Sequence, residues 1–193
     1  MKYITKSIGG VLTIMMLLIF GLKACGLGEQ TDEANKLNDE ANVIIEKQNE
    51  LKAKTGELFN ELLGDNLTKV EDIKAYKEKN KSKFDELISL IGQVERLGAE
   101  LTDKYEQAYK LKLPEKYKEY LGIRIQEIKK RADGHKLYVP FIKEFLQTND
   151  VDKINKLMED FNQQTADIAK EADKLSEKAG QFAKDNPKVN FKN

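Results

Sequence analysis

From Thr31 onward, apolar residues recur at alternating steps of three and four, the spacing that turns one face of a helix toward a core. Starting at Ala34 the steps reach Leu37, Ala41, Ile44, Gln48, Leu51, Thr55, Leu58 and Leu62, and seven of these nine positions are apolar. Asp32-Glu33-Ala34-Asn35 returns one heptad later as Asp39-Glu40-Ala41-Asn42. Thr31 is the expected N-cap, with Asp32 and Glu33 suited to the positive end of the helix dipole. Gly64-Asp65-Asn66 ends the pattern, and Thr68 with Glu71 forms a capping-box sequence that opens a second helix. From Val70 the same stepping gives Ile73, Lys77, Asn80, Phe84, Leu87, Ile91, Val94, Gly98, Leu101, Tyr105 and Ala108, apolar at nine of twelve. Lys77 and Asn80 weaken the seam early, so a bend is expected before Phe84.

Pro114 fits the first turn of a third helix, where its missing N–H is not needed. Tyr117, Leu121, Ile125, Ile128, Ala132, His135, Val139, Ile142 and Leu146 then share a face. Asp133-Gly134 and Pro140 interrupt it, because Pro140 removes a hydrogen bond to the Lys136 carbonyl and crowds it. The unbroken phase of the apolar positions predicts a kink there in preference to a full break. Thr148-Asn149-Asp150 forms the last connection, with Asp150 capping a fourth helix. Its seam runs Ile154, Met158, Phe161, Thr165, Ile168, Ala172, Leu175, Ala179 and Phe182 and stops before Asn186-Pro187.

Four helices of about 34–43 residues with short connections predict an all-α fold, an elongated antiparallel up-down-up-down four-helix bundle about 50–60 Å long over residues 31–185. Both ends of the bundle segment then lie together with Pro114, the Gly64 and Thr148 loops lie at the opposite end, and residues 186–193 form a flexible tail. Composition agrees: Ala, Glu, Lys, Leu and Arg make up about 46% of the 193 residues, near the share typical of long helices. Three prolines and twelve glycines are too few for the turns of a sheet of short strands.

Ahead of the heptads, MKYITK carries Lys2 and Lys6, and the sixteen residues from Ser7 to Leu22 hold no charge and an apolar run from Val11 to Phe20. This is the layout of a bacterial export signal. It closes on Leu22-Lys23-Ala24-Cys25, which resembles the lipobox of bacterial lipoproteins, although Lys23 stands where that pattern usually has a small or uncharged residue. The resemblance covers this segment alone. It implies a signal peptide over 1–24, cleavage before Cys25, acylation of Cys25 by chains such as palmitate, and a lipidated linker over 25–30. The alternative is an uncleaved anchor, but sixteen uncharged residues fall short of the roughly 20 that span a bilayer. Either way residues 26 onward face outward, at the cell surface or in the periplasm. After cleavage 30 basic and 33 acidic residues remain, 30 − 33 = −3, so attachment would rest on the acyl chains, at about 0.8 kcal/mol per buried CH₂.

Little catalytic chemistry is on offer. One Cys and one His cannot build a structural zinc site, a disulfide or the paired Glu-x-x-His motifs of a di-iron bundle. No Gly-x-Ser-x-Gly occurs, no glycine-rich phosphate loop follows a strand, and zero net charge gives no general pull toward nucleic acid. A His135–Met158 haem pair is disfavoured, since the two sit about five residues out of step along their helices, roughly 7 Å. No catalytic residue, metal ligand or cofactor is therefore assigned. The expectation is a non-enzymatic envelope lipoprotein, a helical spacer or protein-interaction module held to the membrane through Cys25, whose partner is an envelope protein or cell-wall component and not a nucleic acid. The alternative is a bundle that binds a small apolar ligand near the kinked third helix, at His135, Tyr138, Phe141 and Phe145, where a proline kink opens local packing. Sensor domains of bacterial receptors have a similar outline but continue into a second membrane helix, which this sequence does not contain.

Overall fold

A computed structural model describes residues 21–22, 29–64, 67, 70–187 and 191–192. The fold is all-helical apart from one two-residue antiparallel pairing of β1 (Gly21–Leu22) with β2 (Phe191–Lys192). Six helices are described: α1 (Glu29–Leu63), α2 (Ile73–Lys79), α3 (Lys81–Lys110), α4 (Glu115–His135), α5 (Tyr138–Gln147) and α6 (Val151–Asp185).

Several boundaries correct the sequence reading. α1 starts at Glu29, so Thr31 lies inside its first turn and does not cap it, and the expected 25–30 linker is shorter by two residues. Thr68 lies outside the described residues. The cap of α2 is Asp72, whose Oδ1 accepts from the N–H of Ala75 at 3.0 Å. The bend expected before Phe84 is a break at Asn80, where the side-chain amide donates to the Tyr76 carbonyl at 2.9 Å and so competes with the helical ladder. The third expected helix is two, α4 and α5, joined through Lys136 and Leu137. Both linking residues keep right-handed helical angles, and the Leu137 N–H reaches back three residues to Gly134 in a tightened turn. The cause lies four residues ahead: Pro140 has no N–H for the Lys136 carbonyl, and the ladder resumes when Phe141 donates to Leu137 at 3.2 Å. Part of the expected tail is engaged in β2. Asp150 does cap α6, accepting from Asp152 and Lys153.

Ion pairs cross between neighbouring helices. Lys83 pairs with Glu61 and Lys104 with Glu40 between α3 and α1; Lys129 pairs with Glu106 between α4 and α3; Lys130 pairs with Glu171 between α4 and α6. At one end the Gln30 side chain accepts from the Lys112 N–H and Lys116 meets Asn186. At the other, Tyr76 donates to the Leu62 carbonyl and Lys77 meets the Thr148 turn.

The apolar interior falls into two clusters. One gathers Phe59, Leu62, Leu63, Phe84, Phe141, Phe145 and Phe161 around the Thr148 end. The other gathers Ala34, Ala41, Ile45, Leu101, Tyr105, Tyr117 and Leu121 around the Pro114 end. All eight seam positions expected on α3 are buried. On α1 six of the nine expected seam positions, Ala34, Ala41, Ile44, Gln48, Thr55 and Leu62, are buried; Leu37, Leu51 and Leu58 are only half-buried, and Asn38, Ile45, Lys52 and Phe59 are buried beside the seam.

Lys77, a gap in the apolar pattern, has a structural task. Its ammonium donates to the carbonyls of Phe145 and Thr148 and lies 4.3 Å from the centre of the Phe145 ring. It thereby satisfies the carbonyls left open at the end of α5 and ties α2 to the α5–α6 turn. Lys77→Ala should destabilise the fold by about 1.5–3 kcal/mol, the range for hydrogen bonds to charged groups, as read from urea unfolding.

Candidate functional site

The four residues singled out for ligand binding do not form one pocket. Tyr138, Phe141 and Phe145 are core residues on α5. The Tyr138 ring meets Phe59 and Phe161 edge-on at 5.4 and 4.9 Å, Phe141 stacks on Phe161 at 4.1 Å, and Phe145 packs on Phe84 at 5.7 Å. This is aromatic packing, worth about 0.5–1.5 kcal/mol per pair beyond the area buried. Burial pushes the Tyr138 hydroxyl up to about 12. Of the four, only Phe141 lines the open groove between α5 and α6, about 530 Å³ in volume, together with Leu137, Pro140, Leu157 and Phe161 and the charged Glu144, Lys153, Lys156 and Asp160. Its size falls within the range of ligand sites. The groove opens beside the turn at Lys136–Leu137, and Leu137 and Pro140 are among its lining residues.

His135 lies elsewhere, 6.2 Å ring to ring from Tyr138 but lining a small cavity on its other side with Gln48, Lys52, Gly98, Ile128 and Arg131. That cavity belongs to a buried polar layer between the two apolar clusters. At its centre Glu127 is fully buried. One of its oxygens accepts from Arg124, and the other accepts from Arg131 Nε and Nη2 at 2.9 and 2.6 Å. The spacing is helical: residues three before and four after Glu127 bracket it on one face of α4. Burial opposes the charge on Arg124, but Tyr105, Glu127 and Tyr120 outweigh it and raise the guanidinium pKa.

From α1, Gln48 spans the layer. Its amide nitrogen donates to the Val94 carbonyl on α3 at 3.1 Å, and its oxygen accepts from Lys52 Nζ at 3.1 Å. Gly98 makes room for it, since a Cβ there would stand 3.2 Å from Gln48 Nε2. Burial, and then the nearby Arg131, lower the Lys52 ammonium to about 8, with Glu127 opposing the shift. Burial, then Lys52 and Arg131, hold His135 down to about 3, so the ring is neutral at physiological pH.

Sequence reasoning found His135 and missed Lys52, Arg124 and Glu127. Two signals were there to use: Lys52 interrupts an otherwise apolar column between Ile45 and Phe59, and Arg124-x-x-Glu127-x-x-x-Arg131 places both cations within reach of one carboxylate. Cys25 lies outside the described residues. Among the described residues no group of three or more His, Cys, Asp or Glu could hold a metal ion, and no helix is long and apolar enough to cross a membrane. Comparison with protein-family models, with curated proteins and with solved structures finds no match to this chain.

Glu127→Gln should cost about 3–5 kcal/mol, because two buried guanidinium groups lose their counter-charge; chemical denaturation reads the loss. A second expectation concerns pH. The folded state keeps His135 unprotonated down to about pH 3, whereas an unfolded histidine takes up its proton near 6.5. The unfolded chain therefore binds more protons within that window, and His135 makes stability fall as pH drops from 6.5 toward 3. Thermal melts of His135→Gln across this range should show a shallower acid loss than the parent chain.

Proposed function

We propose that this chain is a non-enzymatic lipoprotein of the bacterial envelope, exported and held to the membrane by acyl chains on Cys25, that presents its helices outward as a rigid spacer or protein-interaction module. The observation that carries the reading is Leu22-Lys23-Ala24-Cys25 set directly after a charged start and an apolar run, a few residues before α1. We read the helices as four antiparallel arms, α1, α2 with α3, α4 with α5, and α6, in up-down-up-down order. Support comes from two contacts on one pair of helices in reversed order: Glu40–Lys104 with Glu61–Lys83 between α1 and α3, and Lys116–Asn186 with Lys130–Glu171 along α4 and α6. α1 and α6, 35 residues each, span about 50 Å at 1.5 Å per residue. In this reading the Pro114 end faces the membrane, and the Thr148 end with the α5–α6 groove faces outward, toward an envelope protein or cell-wall component.

The interior chemistry favours a structural part over a catalytic one. Glu127 is taken up by two arginines of its own helix, so this buried carboxylate presents no reacting group to solvent. Cleavage before Cys25 would remove β1 and leave all six helices. A second reading has one observation of its own: the α5–α6 groove, lined by the apolar Phe141, Leu157 and Phe161 and by the charged Glu144, Lys153, Lys156 and Asp160, suits a small amphipathic ligand with a polar head.

Native mass spectrometry of the chain extracted from its own membranes in mild detergent separates the readings. The expected mass corresponds to cleavage before Cys25 plus acyl chains, and Cys25→Ala should lose both the acyl mass and membrane retention. An unprocessed, unacylated chain would overturn the lipoprotein reading. A stoichiometric small-molecule adduct that survives in Cys25→Ala would favour the ligand-binding one.

A further inference from the structure

We propose that the cavity between Lys52, Arg131 and His135 is a binding site for one small monovalent anion of halide size. The cavity, enclosed mostly by α1, α3 and α4, measures about 10 Å³, room for the centre of a single water-sized sphere. Two cationic side chains line it with donors to spare. Lys52, only 9% exposed, gives one hydrogen bond to the neutral oxygen of Gln48, and an ammonium has three donors. Arg131 uses Nε and Nη2 on Glu127, but its buried Nη1 has no hydrogen-bond partner among the described residues; the nearest carboxylate, Asp173, stands at 3.6 Å. The Arg131 side chain is nine-tenths buried.

The charges around the cavity leave a place for a counter-ion. Lys52, Arg124 and Arg131 are buried cations, or nearly so, against a single fully buried carboxylate, Glu127, both of whose oxygens are occupied by the arginines. Glu95 lines the cavity but is part-exposed, and the Asp173 side chain is 55% exposed, so water screens both. His135 is neutral and adds no charge to the cavity. An anion held between the Lys52 ammonium and the Arg131 guanidinium would supply acceptors to both cations, where an unpaired buried charge is costly. The tight space sets the expected selectivity: a monatomic halide is admitted ahead of sulfate or gluconate.

The test is the melting temperature of the full chain titrated with sodium chloride, with sodium gluconate keeping ionic strength constant. A saturable rise is expected with chloride and with bromide and is not expected with sulfate. Lys52→Met, which removes a desolvated ammonium and should fold at least as well as the parent, should lose that rise. Chloride NMR adds an independent readout: the parent chain should broaden the free-chloride line, bromide should compete the broadening away, and Lys52→Met should not broaden it. Equal responses to all salts, or a chloride response unchanged in Lys52→Met, would overturn the site and leave the cavity to a neutral water.

Discussion

A carboxylate with no exposure to water, Glu127, has to be neutralised where it stands, and the middle of the fold is arranged around that requirement. Taking a carboxylate out of water costs several kcal/mol unless its lone pairs are met with good geometry. Arg124 and Arg131 meet it from the same helix, so α4 arrives with its charge already balanced to first order. The guanidinium groups then fix what can approach. Tyr105 and Tyr120 sit beside Arg124, and Asp173 of α6 sits beside Arg131. A one-turn slip of α4 against its neighbours would break these relations together. An apolar seam alone would tolerate such a slip far better, because Leu, Ile and Ala can exchange places along a heptad with small loss.

The same layer explains why the interior is divided. Gln48, Lys52 and Thr55 follow one another down α1 between Ile45 and Phe59, and the apolar clusters lie on either side of them. The two clusters are built differently. The one at the Thr148 end is rich in phenylalanine, and the one at the Pro114 end relies on alanine, isoleucine and tyrosine. Alanines at 34, 41, 108 and 179 bring backbones close but bury little area each. The phenylalanines fill more space and add ring-to-ring contacts, and Lys77 fastens that end further by closing α5 from α2.

Much of this was legible in the sequence, unevenly. The α3 seam from Phe84 to Ala108 is buried position for position, because each of its apolar residues falls on one helical face with no competitor. The α6 cap at Asp150 was equally plain. On α1 six of the nine stepped positions are buried, and Leu37, Leu51 and Leu58 are the departures. The stepping follows the most apolar track, while the fold also turns Lys52 inward, where Gln48 of the same helix accepts from it and Glu127 of α4 supports its charge. No pattern within α1 contains that information. Pro140 signalled a disturbance but not its form: whether the chain kinks or separates into two helices depends on how the freed Lys136 carbonyl and the neighbouring turn settle. The candidate ligand residues fared worst, since an aromatic stripe at helical spacing looks the same whether it lines a pocket or fills a core. Here Tyr138 and Phe145 fill the core, and only Phe141 also reaches a groove.

Placing the polar layer at mid-length has a mechanical consequence. Two apolar clusters separated by paired charges can loosen in turn, because the contacts that hold one do not pass continuously into the other. The end nearer Pro114 has the smaller side chains and so the weaker area-dependent stabilisation, at about 25 cal/mol per Å² buried. It should therefore open before the phenylalanine-rich end. In the proposed lipid-tethered arrangement, that end would lie next to the tether. Local opening there would let the array pivot at its base while the other end, with the α5–α6 groove and the Thr148 turn, keeps its shape. Under that proposal the division would let a spacer present one fixed surface from a moving membrane, and the division itself follows from where Glu127 and Lys52 interrupt the core.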